Sequence, residues 1–166
     1  MTTVVDSSVL VAALIDTGPN GVWAEHVLAG GSLHAPELVC AEATNIFRRL
    51  ERAKLITTPE ANAAQDDLMQ LEIELFSFEP FADRIWELRH NVTSYDAWYV
   101  AIAEALKLPL ATLDEPLSRS NGVACEFRRN RCRKPAADDF ALPGRRIDGA
   151  GSGGCPEHID AGPQRI

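Results

Sequence analysis

The chain has 166 residues, of which 46% are hydrophobic and 24% charged, with a net charge of −8. That length suits one domain with a real core, and no apolar run approaches the ~20 residues a membrane span needs. The acidic balance excludes binding of nucleic acid through bulk charge alone, because phosphate contacts require lysine and arginine.

The chain opens with Val4-Val5-Asp6-Ser7-Ser8 followed by a run of apolar residues from Val9 to Ile15. Two β-branched residues read as a short buried strand of a parallel sheet. Ser7 or Ser8 is a candidate N-cap for the helix that follows. Asp6 then falls at the carboxyl end of a strand, where open α/β sheets keep their ligand crevices. Taken alone, such an aspartate is equally a turn residue or a helix cap. The opening apolar run is short and lacks a basic leader and a small-residue cleavage site, so the cytoplasm is the expected compartment.

Residues 16–21 form a dense turn signal, and a helix over 21–29 is predicted to turn Val22, Trp23, His26 and Val27 to one side. Leu33-His34-Ala35 is a weak second strand. Pro36 is placed at the start of a helix reaching about Arg52, with Val39, Ala43, Ile46, Phe47 and Leu50 as its apolar face. Glu42 lies on or beside that face, where an unpaired carboxylate is costly. Arg48, Arg49, Arg52 and Lys54 make the one dense basic patch before residue 128, read as a solvated face or, alternatively, as a contact for RNA.

A helix from Thr58 to about Leu71 follows, with Thr58 as its cap and Pro59 at the first helical position. Residues 72–78 alternate as a strand, and Pro80 opens a helix burying Ile85 and Leu88, with Trp86 a further candidate. Thr93 or Ser94 caps a helix that is apolar nearly all round to Leu106, so it should be buried. Asp96 sits in its first turn, where the helix dipole favours negative charge, and would point into the protein. Residues 108–114 repeat the opening pattern, with Asp114 ending an apolar strand and Pro109 at its start. A helical turn over 115–119 and a last strand over 123–127 complete the predicted fold.

Residues 1–127 carry 19 acidic and 8 basic side chains, while residues 128–166 carry 5 and 8. The second segment is rich in Arg, Pro, Gly and Ala without apolar periodicity. It is read as a disordered tail after a single folded domain at 1–127. Cys40 reads as a small buried hydrophobe. Cys125, Cys132, Cys155 and His158 lack the close pairing of zinc sites, and without an export signal a disulfide framework is not expected.

Asp6 and Asp114 end strands, Asp96 starts a buried helix, and Glu42 lies beside a core-facing stripe. Four hard carboxylates converging on one crevice suit Mg²⁺ or Mn²⁺, not zinc. Without an ion they would repel, and some would take up protons.

The segments Val4-Val5-Asp6-Ser7-Ser8, Glu42 with Asn45 three residues on, Ser94-Tyr95-Asp96-Ala97, and Ala111-Thr112-Leu113-Asp114 resemble the PIN-domain ribonucleases, most closely the VapC toxins of toxin–antitoxin pairs. The resemblance spans residues 1 to about 127. It implies a three-layer α/β/α fold with a mostly parallel sheet of about five strands, and a Mg²⁺- or Mn²⁺-dependent endoribonuclease. Carried over, Asp6, Glu42, Asp96 and Asp114 would be the acidic quartet and metal ligands. Ser7 and Thr112 would be supporting hydroxyls, and Asn45 would orient substrate or the glutamate. Arg48, Arg49 and Arg52 are the candidate RNA contacts. The implied partners are an RNA substrate, a small antitoxin and a second copy of the chain, with no membrane.

Two other classes compete. A catalytically impaired module of the same fold would act by binding alone. A phosphoryl-transfer α/β domain also places aspartates at strand ends, but the phosphatase pattern needs an aspartate where Ser8 stands, and the receiver pattern needs an acidic pair and a late lysine that are missing.

Overall fold

A computed structural model of the protein describes residues 2–130. The expectations for 131–166, including any role of Cys132, Cys155 and His158, lie outside the described residues. Five strands form one sheet: β1 (Thr3–Val5), β2 (Leu33–Pro36), β3 (Ile73–Phe76), β4 (Leu110–Ala111) and β5 (Phe127–Arg128). All neighbours are parallel, in the order β3-β2-β1-β4-β5. The chain therefore builds outward from β1 on one side, then crosses back to add β4 and β5 on the other.

Right-handed crossovers make that reversal put helices on opposite faces. On one side α1 (Ser7–Ile15) packs against α2 (Pro19–Ala29), α3 (Val39–Arg52) and α4 (Thr58–Gln70). On the other, α6 (Ser94–Leu106) lies over β1, β2 and β4 and against α5 (Ala82–Glu87). The result is the three-layer α/β/α sandwich expected from the sequence. Val4, Val5, Val9, Leu10, Val100, Ile102 and Leu110 are fully excluded from solvent at its centre. Reversal of strand order places a crevice between the carboxyl ends of β1 and β4. The residues that follow those two strands are Asp6 and Thr112–Asp114.

Several local expectations shift. Pro36 ends β2 instead of starting a helix; the next ladder bond is made by the Glu37 N–H to the Phe76 carbonyl, so the missing proline donor costs nothing. The cap of α4 is Thr57, in a reciprocal box with Glu60, which moves Pro59 one place into the first turn. Along α2 the buried side is Gly21, Ala24 and Val27, while Val22 is 50% exposed and the His26 ring donates through Nδ1 to the Val22 carbonyl. The reason is the tight α1–α2 corner: a Cβ on Gly21 would stand 1.5 Å from the Asp16 carbonyl oxygen. Trp86 is 67% exposed, since only Ile85 and Leu88 of its turn reach the core.

The predicted last strand moves from 123–127 to Phe127–Arg128. The segment before it is instead tied down by polar groups. Glu104 of α6 receives two hydrogen bonds from Arg84 (2.7 and 3.1 Å) and one from the Ala124 N–H (2.7 Å), and Arg84 also donates to the Gly122 carbonyl at 2.8 Å. Burial alone would raise the Glu104 carboxyl, but the Arg84 guanidinium and the Ala124 N–H hold it below the usual range. Folded chain thus continues past 127: the Thr112 N–H donates to the Arg128 carbonyl, and the Asn130 amide donates to the Pro19 carbonyl and Asn20 Oδ1.

Candidate active site

Asp6 leaves β1 in an extended conformation and caps α1 itself, its Oδ1 accepting from the Ser8 N–H at 2.5 Å. Its other oxygen accepts a short hydrogen bond from the Thr112 hydroxyl. Asp6 thus caps α1 through one oxygen and is tied to the end of β4 through the other. Ser8, one of the two expected caps, instead accepts from the Leu113 N–H at 3.1 Å and fastens the start of α1 to the end of β4. Ser7 lies beside Asp6, its hydroxyl 3.4 Å from Oδ1.

Asp114 repeats the arrangement at the end of β4. It caps the short α7 (Glu115–Ser118), accepting from the Leu117 N–H at 3.0 Å. Its own N–H donates to Thr112 Oγ1 at 2.9 Å. Thr112, only 1% exposed, is thereby the bridge between the two strand-end aspartates. At the start of α6, Thr93 caps the helix, accepting from the Asp96 N–H and donating to its carboxylate at 2.7 Å. Glu42 stands in the first turn of α3 and accepts a short hydrogen bond from the Tyr99 hydroxyl.

Asp6 is buried, Glu42 and Asp96 are half-buried, and Asp114 is exposed. Burial pushes the Asp6 carboxyl up, against the hydrogen bonds from Thr112 and Ser8, and the charge of Asp114 pushes the same way. Burial also raises Glu42, partly offset by the Tyr99 hydroxyl and reinforced by the charges of Asp6 and Asp96. Asp96 is raised by burial, with Thr93 opposing and Asp114 adding to the shift. Repulsion thus links Asp6 to Asp114, Asp114 to Asp96, Asp96 to Glu42 and Glu42 to Asp6, a closed ring. Among the described residues no three His, Cys, Asp or Glu side chains stand close enough to hold an ion as they are. The four acids are connected through their fields, not through contact.

Tyr99 was not singled out by the sequence. It lies one turn beyond Asp96 on the same side of α6, and that spacing is the signal that could have found it. It is 2% exposed, and burial followed by the Glu42 hydrogen bond keeps its phenol protonated far above the usual range. Asn45 does not reach Glu42 here; its Oδ1 accepts from Arg48 at 3.0 and 3.2 Å. Arg48, Arg49 and Arg52 all lie exposed on α3.

Two clefts open at the carboxyl edge of the sheet, and Asp114 belongs to both. One, of about 460 Å³, is lined by Arg89, His90, Thr93, Asp96 and Asp114 among others. The second, of about 300 Å³, includes Thr112, Asp114, Phe127, Arg129 and Asn130.

A parallel sheet of order β3-β2-β1-β4-β5, with Asp6 and Asp114 following the two strands at its switch point, defines an open α/β domain. A family model, the PIN domain, matches residues 3–122. Ribonuclease VapC1 of Mycobacterium tuberculosis (strain H37Rv) is 37% identical over 126 residues, 75% of this chain and 95% of the relative. Ribonuclease VapC9 of the same organism is 35% identical over 122 residues, 74% and 93% of the two chains. The chain belongs to the PIN-domain family, among relatives named as VapC ribonucleases. Solved structures share the fold: VapC20 of M. tuberculosis, a toxin that cleaves the sarcin–ricin loop, has a TM-score of 0.55 at 17% identity, covering 75% of this chain and 97% of that one. VapBC2 of Rickettsia felis, bound to a promoter DNA fragment, gives 0.53 at 14% identity, with 78% and 98% covered.

Proposed function

We infer that the chain is a Mg²⁺- or Mn²⁺-dependent endoribonuclease, the toxin of a toxin–antitoxin pair. The observation that carries this is the pair Asp6 and Asp114 at the ends of β1 and β4, bridged by Thr112, with Asp96 lining the same cleft as Asp114, in a chain that aligns with VapC ribonucleases over nearly their whole length.

The donor set fits a hard divalent cation. All four groups are carboxylates, and three are raised by burial and by one another, so a positive ion would relieve a repulsion already present. Asp6, Asp96 and Asp114 would hold it, with Glu42 completing the set, by drawing together from the wider spacing they have without an ion. When bound, a divalent ion supplies a water activated at neutral pH and charge stabilisation for the leaving oxygen of a phosphodiester.

The protein's own residues do the positioning. Thr112 fixes the Asp6 carboxylate relative to the Asp114 backbone, while Thr93 holds Asp96 in the first turn of α6. Tyr99 orients Glu42 by donating to it and stays protonated while doing so. Arg48, Arg49 and Arg52 offer positive charge to the RNA along α3, and Ser7 and Asn45 are supporting groups. A small antitoxin and a second copy of the chain are the proposed protein partners, and the cytoplasm is the proposed compartment. Among the described residues no helix is long and apolar enough to cross a membrane.

The test is cleavage of single-stranded and structured RNA with Mn²⁺ and with chelator, with the cut sites mapped. Metal-dependent internal cleavage is the expected result. Intact RNA under both conditions, from a chain that melts cooperatively, would favour the binding-only alternative.

A further inference from the structure

The two clefts share Asp114 as a common wall, and each brings one arginine to it from a different part of the chain. Arg89 comes from the turn Leu88–His90, just before α6. Its guanidinium lies 4.6 Å above the ring of exposed Trp86 and donates to the Trp86 carbonyl at 2.7 Å. Arg129 comes from just beyond β5, where the Asn130 amide ties the chain to the start of α2. It is exposed and donates to Ser118 Oγ at 3.3 Å. Neither arginine is among the cations of α3, and each lines a cleft that Asp114 also lines.

An acidic centre repels the phosphodiester it must receive, so cations flanking that centre are needed to hold the strand in place. The geometry points to a path for single-stranded RNA across the carboxyl edge of the sheet. The phosphates on either side of the reacting one are held by Arg89 in one cleft and Arg129 in the other, with Asp114 between them. This rests on the ribonuclease reading above. It makes the two arginines substrate-positioning residues, with Arg89 held in place by its stacking on Trp86.

The test measures affinity in chelator, where binding is read without cleavage. A short fluorescein-labelled single-stranded RNA of mixed sequence is titrated with the full chain, followed by anisotropy over a series of salt concentrations. Arg89→Gln and Arg129→Gln are each expected to weaken binding about tenfold and to flatten the salt dependence by about 0.7 in the log–log slope, the amount for one phosphate contact on a single strand. The double variant loses both increments, and Arg89→Lys and Arg129→Lys keep the slope because the charge remains. In Mn²⁺ the two Gln variants raise KM while kcat stays within about twofold. Unchanged affinity and slope in both Gln variants, with the parent chain binding and cutting RNA, overturns the path and leaves the ribonuclease reading intact. A loss confined to Arg48→Gln moves substrate to α3 and also overturns it. Failure of the parent chain to bind RNA overturns the path together with the function it rests on.

Discussion

The hydroxyl of Thr112 donates to Asp6 while accepting the backbone N–H of Asp114, so one side chain sets the relative position of two carboxylates 108 residues apart in sequence. Removing the hydroxyl leaves a buried Asp6 oxygen without its donor. Thr112→Val is expected to lower RNA cleavage about 10- to 100-fold, the range for groups that orient metal ligands, and to destabilise the fold by about 1–3 kcal/mol. Thr112→Ser restores most of both. Steady-state cleavage and urea melts of the three chains check this, and wild-type activity in Thr112→Val would remove its orienting role.

Tyr99 acts on Glu42 in the same manner across the α3–α6 contact. Tyr99→Phe keeps the packing and removes the donor, so the half-buried Glu42 carboxylate loses the hydrogen bond it accepts from the phenol. Cleavage should fall about tenfold or more, with the Mn²⁺ concentration for half-maximal rate raised and the fold retained by circular dichroism. An unaltered Mn²⁺ dependence would show that Glu42 needs no such orientation.

The raised carboxyl of Asp6 has a definite consequence for pH. Its folded value lies above its unfolded value, so the folded state binds the proton more tightly. Where both states are protonated there is no penalty. As pH rises from the ordinary carboxylate range through the raised one, the folded chain must carry a buried, repelled charge and loses stability. In chelator, Asp6→Asn should therefore melt higher than the parent at neutral pH, with the gain shrinking in mild acid, while RNA cleavage drops at least about 100-fold. Mn²⁺ should raise the parent's melting temperature at neutral pH and do so much less for Asp6→Asn. Calorimetry with and without the ion measures all of these, and a variant that melts lower than the parent at every pH contradicts the argument.

Two truncations separate the sequence boundary from the structural one. A chain ending at Phe127 lacks the Arg128 carbonyl that receives the Thr112 N–H, and the Asn130 amide that reaches Pro19 and Asn20. A chain ending at Asn130 keeps them. With each lost hydrogen bond contributing about 1 kcal/mol, the shorter chain should melt at least about 5 °C below the longer one. Equal melting temperatures would place the edge of the folded unit back at Phe127.

The sequence by itself determined most of the elements and singled out the four acids as candidates. Val4-Val5 before Asp6, and Leu110-Ala111 before Thr112-Leu113-Asp114, are local patterns, since short apolar runs ended by an aspartate read as strand ends without knowledge of the rest. The capping signal at Thr93 and the apolar surround of α6 likewise made Asp96 legible. Even here the details turned on competition between neighbours: Asp6 outdid Ser7 and Ser8 as the cap of α1, because its carboxylate reaches the Ser8 N–H while the Ser8 hydroxyl is drawn away to Leu113.

Only the tertiary structure decided what those acids touch. That Tyr99 meets Glu42, that Thr112 spans Asp6 and Asp114, and that Asn130 folds back onto the start of α2 are contacts between residues far apart in the chain. They follow from strand order, and strand order is set when helices on both faces bury one sheet, a condition on the whole core that no local window contains. The same condition moved Pro36 into β2 and the last strand to Phe127–Arg128. There, partners on adjacent strands and the Glu104–Arg84 pair settled the register after local propensity had left it open.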